Sequence, residues 1–228
     1  MQEIAKICLI LSSRYNHKIN IQIKAEKVVS FMWFLKGKTE EEKQNKKLVR
    51  SLRKLSLTGR MCYLFMCIEK YLIMLYPQKD WTPVAKRCWQ WTKRYWNEGW
   101  DIYSVVVPEF LFEFDTYEKA NKEFDEQLSE KDYYELMNLF QGITDGNAED
   151  EINQVLKMPI DFSNACECCD FGAASVSSMY LFLDMKHIFD LHNIQLPDIG
   201  SVSNMTMDQK NGWGEFVDSE YLSIILNT

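Results

Sequence analysis

Residues 81–100 read WTPVAKRCWQWTKRYWNEGW, and their spacing decides the fold class. Val84, Cys88, Trp91 and Tyr95 recur at i, i+4, i+7 and i+11, and Ala85, Trp89, Trp96 and Trp100 form the adjacent row. Lys86, Arg87, Gln90, Lys93, Arg94 and Asn97 fall on the opposite side. A wide aromatic face with a basic back is the pattern of a helix packed on a core. Thr82-Pro83 supplies the start signal, Thr as N-cap and Pro where a missing N–H costs nothing. Packing accounts for Trp89, Trp91 and Trp96 better than ligand contact does, whereas Trp81 and Trp100, at the two ends, are expected to be exposed.

Upstream, Met61 to Tyr76 is apolar on nearly every face, which predicts a helix buried at the centre of a bundle and ended by Pro77. Glu69-Lys70 interrupts the run, and it falls short of the roughly 20 residues a bilayer span needs. Thr39-Glu-Glu-Glu reads as an N-cap with first-turn carboxylates, and Leu48, Leu52 and Leu55 give a helix over 39–56. A boundary is expected at Thr58-Gly59. Residues 1–35 are the least legible; they read as helical, with Gly37 as a break.

Downstream, Phe110 to Phe140 reads as one or two acidic helices, with a capped restart at Ser129 and Asp132. A short helix at about 148–157 is expected to stop before Pro159. Gly172 to Leu191 is a second apolar helix, with Val176, Tyr180, Leu183 and His187 on one row and Leu181, Met185 and Ile188 on another. The tail runs through Gly212-Trp213-Gly214 to Tyr221–Leu226, a short helix or strand. Nine Gly and five Pro in 228 residues are too few for a sandwich or barrel. The fold class is therefore all-α, an irregular multi-helix bundle with at most a minor strand or short helix near the C-terminus. Two parts are expected: a basic N-terminal segment over 1–45, helical and packed on or extending the rest, and a helical domain over 46–228.

Charge separates along the chain. Residues 1–100 carry a net +12 and residues 101–228 a net −19. Seven cysteines, an odd number without framework spacing, read as reduced buried thiols and a cytoplasmic location, and no signal peptide is recognisable.

Catalytic patterns are missing. The sequence has no G-x-S-x-G elbow, no G-x-x-x-x-G-K-[ST] phosphate loop and no G-x-G-x-x-G turn. Arg14 and His17 are too close together for an Arg-x4-His ribonuclease pattern. Glu109, Glu113 and Asp115 could do acid–base work, but the abundance of carboxylates explains them more cheaply. Cys166, Cys168 and Cys169 have C-x-C-C spacing rather than C-x-x-C, so buried thiols are favoured over zinc. His187 and His192, at i, i+5, are poorly placed to share a metal from one helix face. No enzyme activity, metal or cofactor is assigned.

Two charged surfaces remain. Lys43, Lys46, Lys47, Arg50, Arg53 and Lys54 could track phosphates, which makes a nucleic-acid-binding helical protein the alternative reading; a solvated face is the plainer one. The acidic half repels nucleic acid and would attract a basic protein, or serve only solubility.

Arg60 to Tyr103 also carries a recognisable series: Glu69-Lys70-Tyr71 at the end of an aromatic-rich helix, then Trp81, Cys88-Trp89-Gln90-Trp91 and Asp101-Ile102-Tyr103. With Gly212-Trp213-Gly214 and Tyr221-Leu222-Ser223, this resembles the all-helical immunity proteins of bacterial polymorphic toxin (contact-dependent inhibition type) systems, whose hallmark is a tryptophan-bearing helix. The resemblance covers about residues 50–228. It implies a bacterial, non-enzymatic protein that neutralises a cognate protein toxin in the cytosol by covering its active site, with a basic nuclease as a toxin that the acidic half would suit. On that reading Glu109, Glu113, Asp115, Glu118, Glu149, Asp150, Glu151, Trp81 and Trp100 are assigned to the partner.

Overall fold

The computed structural model describes residues 39–94, 96–124, 127–166, 177–216 and 218–228, without the side chains of residues 96 and 97. The expectations for residues 1–38, for Tyr95 and for Cys168 and Cys169 lie outside these residues, as do those for the side chains of Trp96 and Asn97. The chain divides into two compact units, Met1–Arg50 and Ser51–Thr228. Among the described residues the regular structure is nine α-helices and three short 3-10 turns, with no strand. Leu55 and Thr206 make an isolated antiparallel bridge. The all-α class read from the sequence is the class observed.

Helix α1 (Glu40–Leu52) begins as a capping box. Glu42 N–H donates to Thr39 Oγ1 at 3.2 Å, and Thr39 N–H donates to the Glu42 carboxylate at 2.7 Å. The boundary between the two units falls inside this helix.

The second unit is built on α2 (Leu57–Leu75), whose residues from Leu57 to Glu69 are all buried. It starts at Leu57, just ahead of the boundary expected at Thr58-Gly59, because Ser56 Oγ caps it by accepting Gly59 N–H at 3.2 Å. Gly59 belongs to the first turn, where a Cβ would stand 2.8 Å from Met205 Cβ. Around α2 pack α3 (Thr82–Trp91), α8 (Glu151–Asn164), α9 (Ser177–Leu191) and the turn Ile199–Val202. Phe65 lies at the middle of the core, with ring centroids 5.8 Å from Trp89, 6.1 Å from Trp91 and 5.8 Å from Tyr103.

The tryptophan stretch is two helices, not one. α3 ends at Trp91 and α4 (Trp96–Ser104) follows. Lys93 and Arg94 N–H groups turn back to the carbonyls three residues earlier, and Thr92 Oγ1 donates to Trp89 O at 2.9 Å. The break lets α4 fold onto α3, with the Trp91 indole pressed on Gly99; a Cβ there would be 1.7 Å from Trp91 Cδ1. At the start of α3 the expected Thr82 cap is replaced by Asp80, whose carboxylate accepts Thr82 N–H at 3.0 Å.

After α4 come the single turn α5 (Pro108–Leu111), α6 (Tyr117–Glu123) and α7 (Glu130–Phe140). Ser129 caps α7 as expected, accepting Asp132 N–H at 3.1 Å. Helix α8 runs through Pro159 instead of stopping before it. An internal proline costs about 3 kcal/mol. Burial of Ile152, Val155, Leu156, Ile160 and Phe162 against α2 and α9 offsets that cost. In α9 the inward row is Met179, Phe182, Met185 and Phe189, while His187, expected on a core row, is exposed. The tail forms short 3-10 helices at Gln209–Gly212 and Glu220–Leu222, the short-helix member of the two alternatives, with no strand among the described residues.

Candidate partner-binding surface

The structure divides the assigned residues into committed and available groups. Glu109, in α5, points at α8. Its N–H donates to Asn153 Oδ1 at 2.7 Å, and its carboxylate accepts Asn153 Nδ2 at 3.3 Å and Lys157 Nζ at 2.6 Å. Nearby Asp161 is pushed up to about 6 by burial, against the opposing pull of Lys157 and with help from Glu109. These groups fasten α5 to α8.

Asp150 and Glu151 are likewise engaged. Asp150 accepts Thr144 Oγ1 at 2.5 Å, closing the turn before α8. Glu151 accepts the Tyr71 hydroxyl at 2.9 Å and lies 2.7 Å from His192 Nε2, so it joins α2, α8 and the end of α9. Glu149 is exposed.

Expected to be exposed, Trp81 is instead 2% accessible. The chain reverses between Pro77 and Asp80, folding its indole back so that Nε1 donates to Tyr76 O at 3.0 Å and the ring meets Tyr76 and Phe140. It cannot reach a partner without unfolding the bend. Trp100 is half-buried, its ring centroid 6.4 Å from Phe110, and it too falls short of the exposure expected.

Glu113, Asp115 and Glu118 are exposed, on and just before the hairpin formed by α6 and α7. Asp115 pairs with Lys119 at 2.7 Å, and that hydrogen bond holds its carboxyl below the usual range. Glu113 and Glu118 have no ion-pair partner among the described residues. Two features of this region escaped the sequence reading. Tyr134 is 53% exposed, with its ring T-shaped on Tyr133 at 5.2 Å. Tyr133 in turn lies 6.2 Å from Tyr117 and donates its hydroxyl to Phe114 O. The Tyr133-Tyr134 doublet was the available signal: neighbours on a helix point about 100° apart, so both cannot be buried on one face.

Other chemistry is sparse. Among the described residues no group of three His, Cys, Asp or Glu side chains could hold a metal. Cys62, Cys67, Cys88 and Cys166 are buried and outside any disulfide, and burial pushes Cys62 up to about 12. The depression between Thr58, Met61, Trp91, Thr92, Arg94 and Phe216 has room for little more than one water.

No family model, curated protein or solved structure matches the chain. The resemblance to immunity proteins therefore rests on sequence motifs alone.

Those motifs nevertheless meet in space. Glu69, from the Glu-Lys-Tyr segment, is fully buried and accepts Trp89 Nε1 at 2.7 Å and Ser223 Oγ at 2.6 Å. Ile224 and Ile225 N–H groups point at its other oxygen from 2.7 and 3.4 Å. Burial raises its pKa above the usual carboxylate range, and these donors offset only part of that rise. Trp213 O, from the Gly-Trp-Gly turn, accepts Thr58 N–H and Oγ1, both at 2.9 Å. This network is internal and holds the tail on α2. Of the residues assigned to a partner, Glu113, Asp115, Glu118 and Glu149 are exposed, and Met74, Tyr134, Leu191 and Tyr221 are exposed large side chains besides. Among the described residues no helix is long and apolar enough to cross a membrane.

Proposed function

We propose that this chain is a non-enzymatic protein-binding module that neutralises a cognate bacterial toxin by covering its active site in the cytosol. The observation that carries the reading is the set of outward carboxylates Glu113, Asp115, Glu118 and Glu149, on a half of the chain with net charge −19. Such a field speeds encounter with a cationic protein, and a cationic nuclease is the toxin class it suits best. Glu109, Asp150, Glu151 and Trp81 are removed from the contact set by their internal bonds.

The test is co-expression of this chain with the toxin encoded beside it. The reading requires that the two co-purify and that the chain relieves killing; a toxin that stays separate and keeps killing defeats it.

A second reading has its own support. Lys43, Lys47 and Arg50 are exposed on one stripe of α1, at i, i+4 and i+7, with only the surface pair Lys43–Glu40 bridging any of them among the described residues. That stripe fits a phosphate backbone. Binding of RNA or DNA that weakens steeply with salt, and that Lys47→Glu with Arg50→Glu removes, would move the assignment to nucleic acid.

A further inference from the structure

We infer that the outer face of α7, centred on Tyr134, is a docking surface for an arginine-bearing segment of a cationic protein. The inference rests on the reading of the chain as a protein binder, but not on the partner being a toxin. Glu130, Tyr134, Met137 and Asn138 follow at i, i+4, i+7 and i+8, so they share one stripe. Glu130, Tyr134 and Asn138 are exposed and Met137 is half-buried. Tyr134 is uncovered and its ring meets that of Tyr133, which donates its hydroxyl to Phe114 O. An exposed tyrosine has only two side-chain torsions to fix and so loses little entropy on contact, which is why tyrosine is prominent among interface anchors.

Charge selects the occupant. Residues 109–135 contain ten Asp and Glu against three Lys. Glu109, Asp115 and Asp132 are neutralised by Lys157, Lys119 and Arg87. Glu113, Glu118, Glu123, Glu130 and Glu135 have no ion-pair partner among the described residues. A second copy of this face, a nucleic acid or an anionic membrane would be repelled. Arginine is favoured over lysine because a planar guanidinium stacks on a tyrosine ring while its fork is free to reach a carboxylate such as Glu130, one turn earlier on the same stripe. The hydroxyl of Tyr134 has no hydrogen-bond partner among the described residues, so it is open to one from the partner.

The experiment titrates the full chain with a labelled peptide of alternating arginine and alanine, and with its lysine counterpart, by fluorescence anisotropy. Tighter binding of the arginine peptide, by about three- to fivefold, is expected from the cation–π contribution. Tyr134→Leu, which keeps apolar volume without the ring, should erase that preference, and Tyr134→Phe should keep it. Glu118→Gln with Glu130→Gln should weaken both peptides, whereas Asp208→Asn, far along the chain in the tail, should change neither. Equal binding of the two peptides, an undiminished preference in Tyr134→Leu, or a loss in Asp208→Asn as large as at the hairpin overturns the inference. Failure of the toxin reading would appear elsewhere, as killing that the wild-type chain does not relieve, and would leave the peptide result standing.

Discussion

A carboxylate taken out of water into a helical core costs several kcal/mol unless donors replace the lost hydration. At Glu69 four donors do so: the Trp89 indole, the Ser223 hydroxyl and two backbone N–H groups. The indole and the amides can only donate, so the ionised carboxylate is the form that satisfies them all. Glu69→Gln, which turns one oxygen into a donor facing donors, should destabilise the fold by about 3 kcal/mol. Ser223→Ala should cost less, about 1.5 kcal/mol. Denaturant melts of the two variants check both the sizes and their order. Asp161 has the opposite character, because few groups compensate its burial. Its pKa, raised to about 6, means that the native state takes up a proton more readily than the unfolded chain. Its contribution is fully present below the unfolded carboxylate pKa and is lost as pH rises through about 6. Asp161→Asn should therefore match wild type near pH 3.5 and exceed it by roughly 1–2 kcal/mol at pH 7.5, the part-exposed side chain being screened. Parallel stability profiles for the two proteins would contradict this. Neither residue's role was legible in the sequence. Glu69 reads as an interruption in an apolar run and as a letter of the Glu-Lys-Tyr motif, but not as a buried acceptor, because its side-chain donors lie 20 and 154 residues away. Trp81 misled for a related reason: a helix-end position says nothing of a preceding reversal that tucks the ring inward.

At the level of elements, apolar periodicity identified helices reliably wherever one face is buried. α2 is the clearest case, apolar all round and placed at the centre. Breaks were harder to read. Thr92-Lys-Arg contains two good helix formers and only a weak breaker, yet α3 stops there because the gain lies further on. Once the chain turns, Trp91 seats on the bare backbone of Gly99, and Phe65, Trp91 and Tyr103 close into one cluster. A propensity argument made at residue 92 cannot contain a contact made at residue 99. Pro159 shows the converse, a strong local breaker overruled by burial along α8. The α3–α4 packing gives a direct test. Gly99→Ala would favour helix locally by about 1 kcal/mol, but it sets a Cβ inside the Trp91 ring. A net loss of at least 2 kcal/mol is expected from the displaced indole, together with a changed tryptophan near-UV signal. A neutral or stabilised Gly99→Ala would mean that Trp91 does not sit there.

Across the molecule, the late parts of the chain return to α2. Met205 O accepts Ser56 N–H, Trp213 O accepts Thr58 N–H, and Pro197 O accepts the Tyr63 hydroxyl. The last segment meets Glu69, and Asp218 and Glu220 reach Lys93 at 3.0 Å each. The sequence suggested that the motifs near residues 69, 89, 213 and 223 belong together, and the fold supplies the reason: each helps to close the C-terminal tail over the central helix. That closure makes the tail part of the core. Of its two attachments, the surface clip is the weak one, since exposed ion pairs contribute about 0–1 kcal/mol. Lys93→Ala should accordingly leave the denaturation midpoint nearly unchanged. Ending the chain after Phe216 should act very differently: it leaves the Glu69 carboxylate with Trp89 alone and uncovers the Cys62 side of α2, where the buried Ser219 hydroxyl bonds to the thiol. Removing partners from a buried charge costs about 3–5 kcal/mol, a large share of the 5–15 kcal/mol that stabilises a typical domain. The shortened chain should lose most of its cooperative transition and its fixed tryptophan environment, and it should recover part of both when Glu69→Leu removes the stranded charge. A shortened chain that melts as wild type does, or one that Glu69→Leu fails to improve, would show that the tail is an appendage and that the buried carboxylate is satisfied without it.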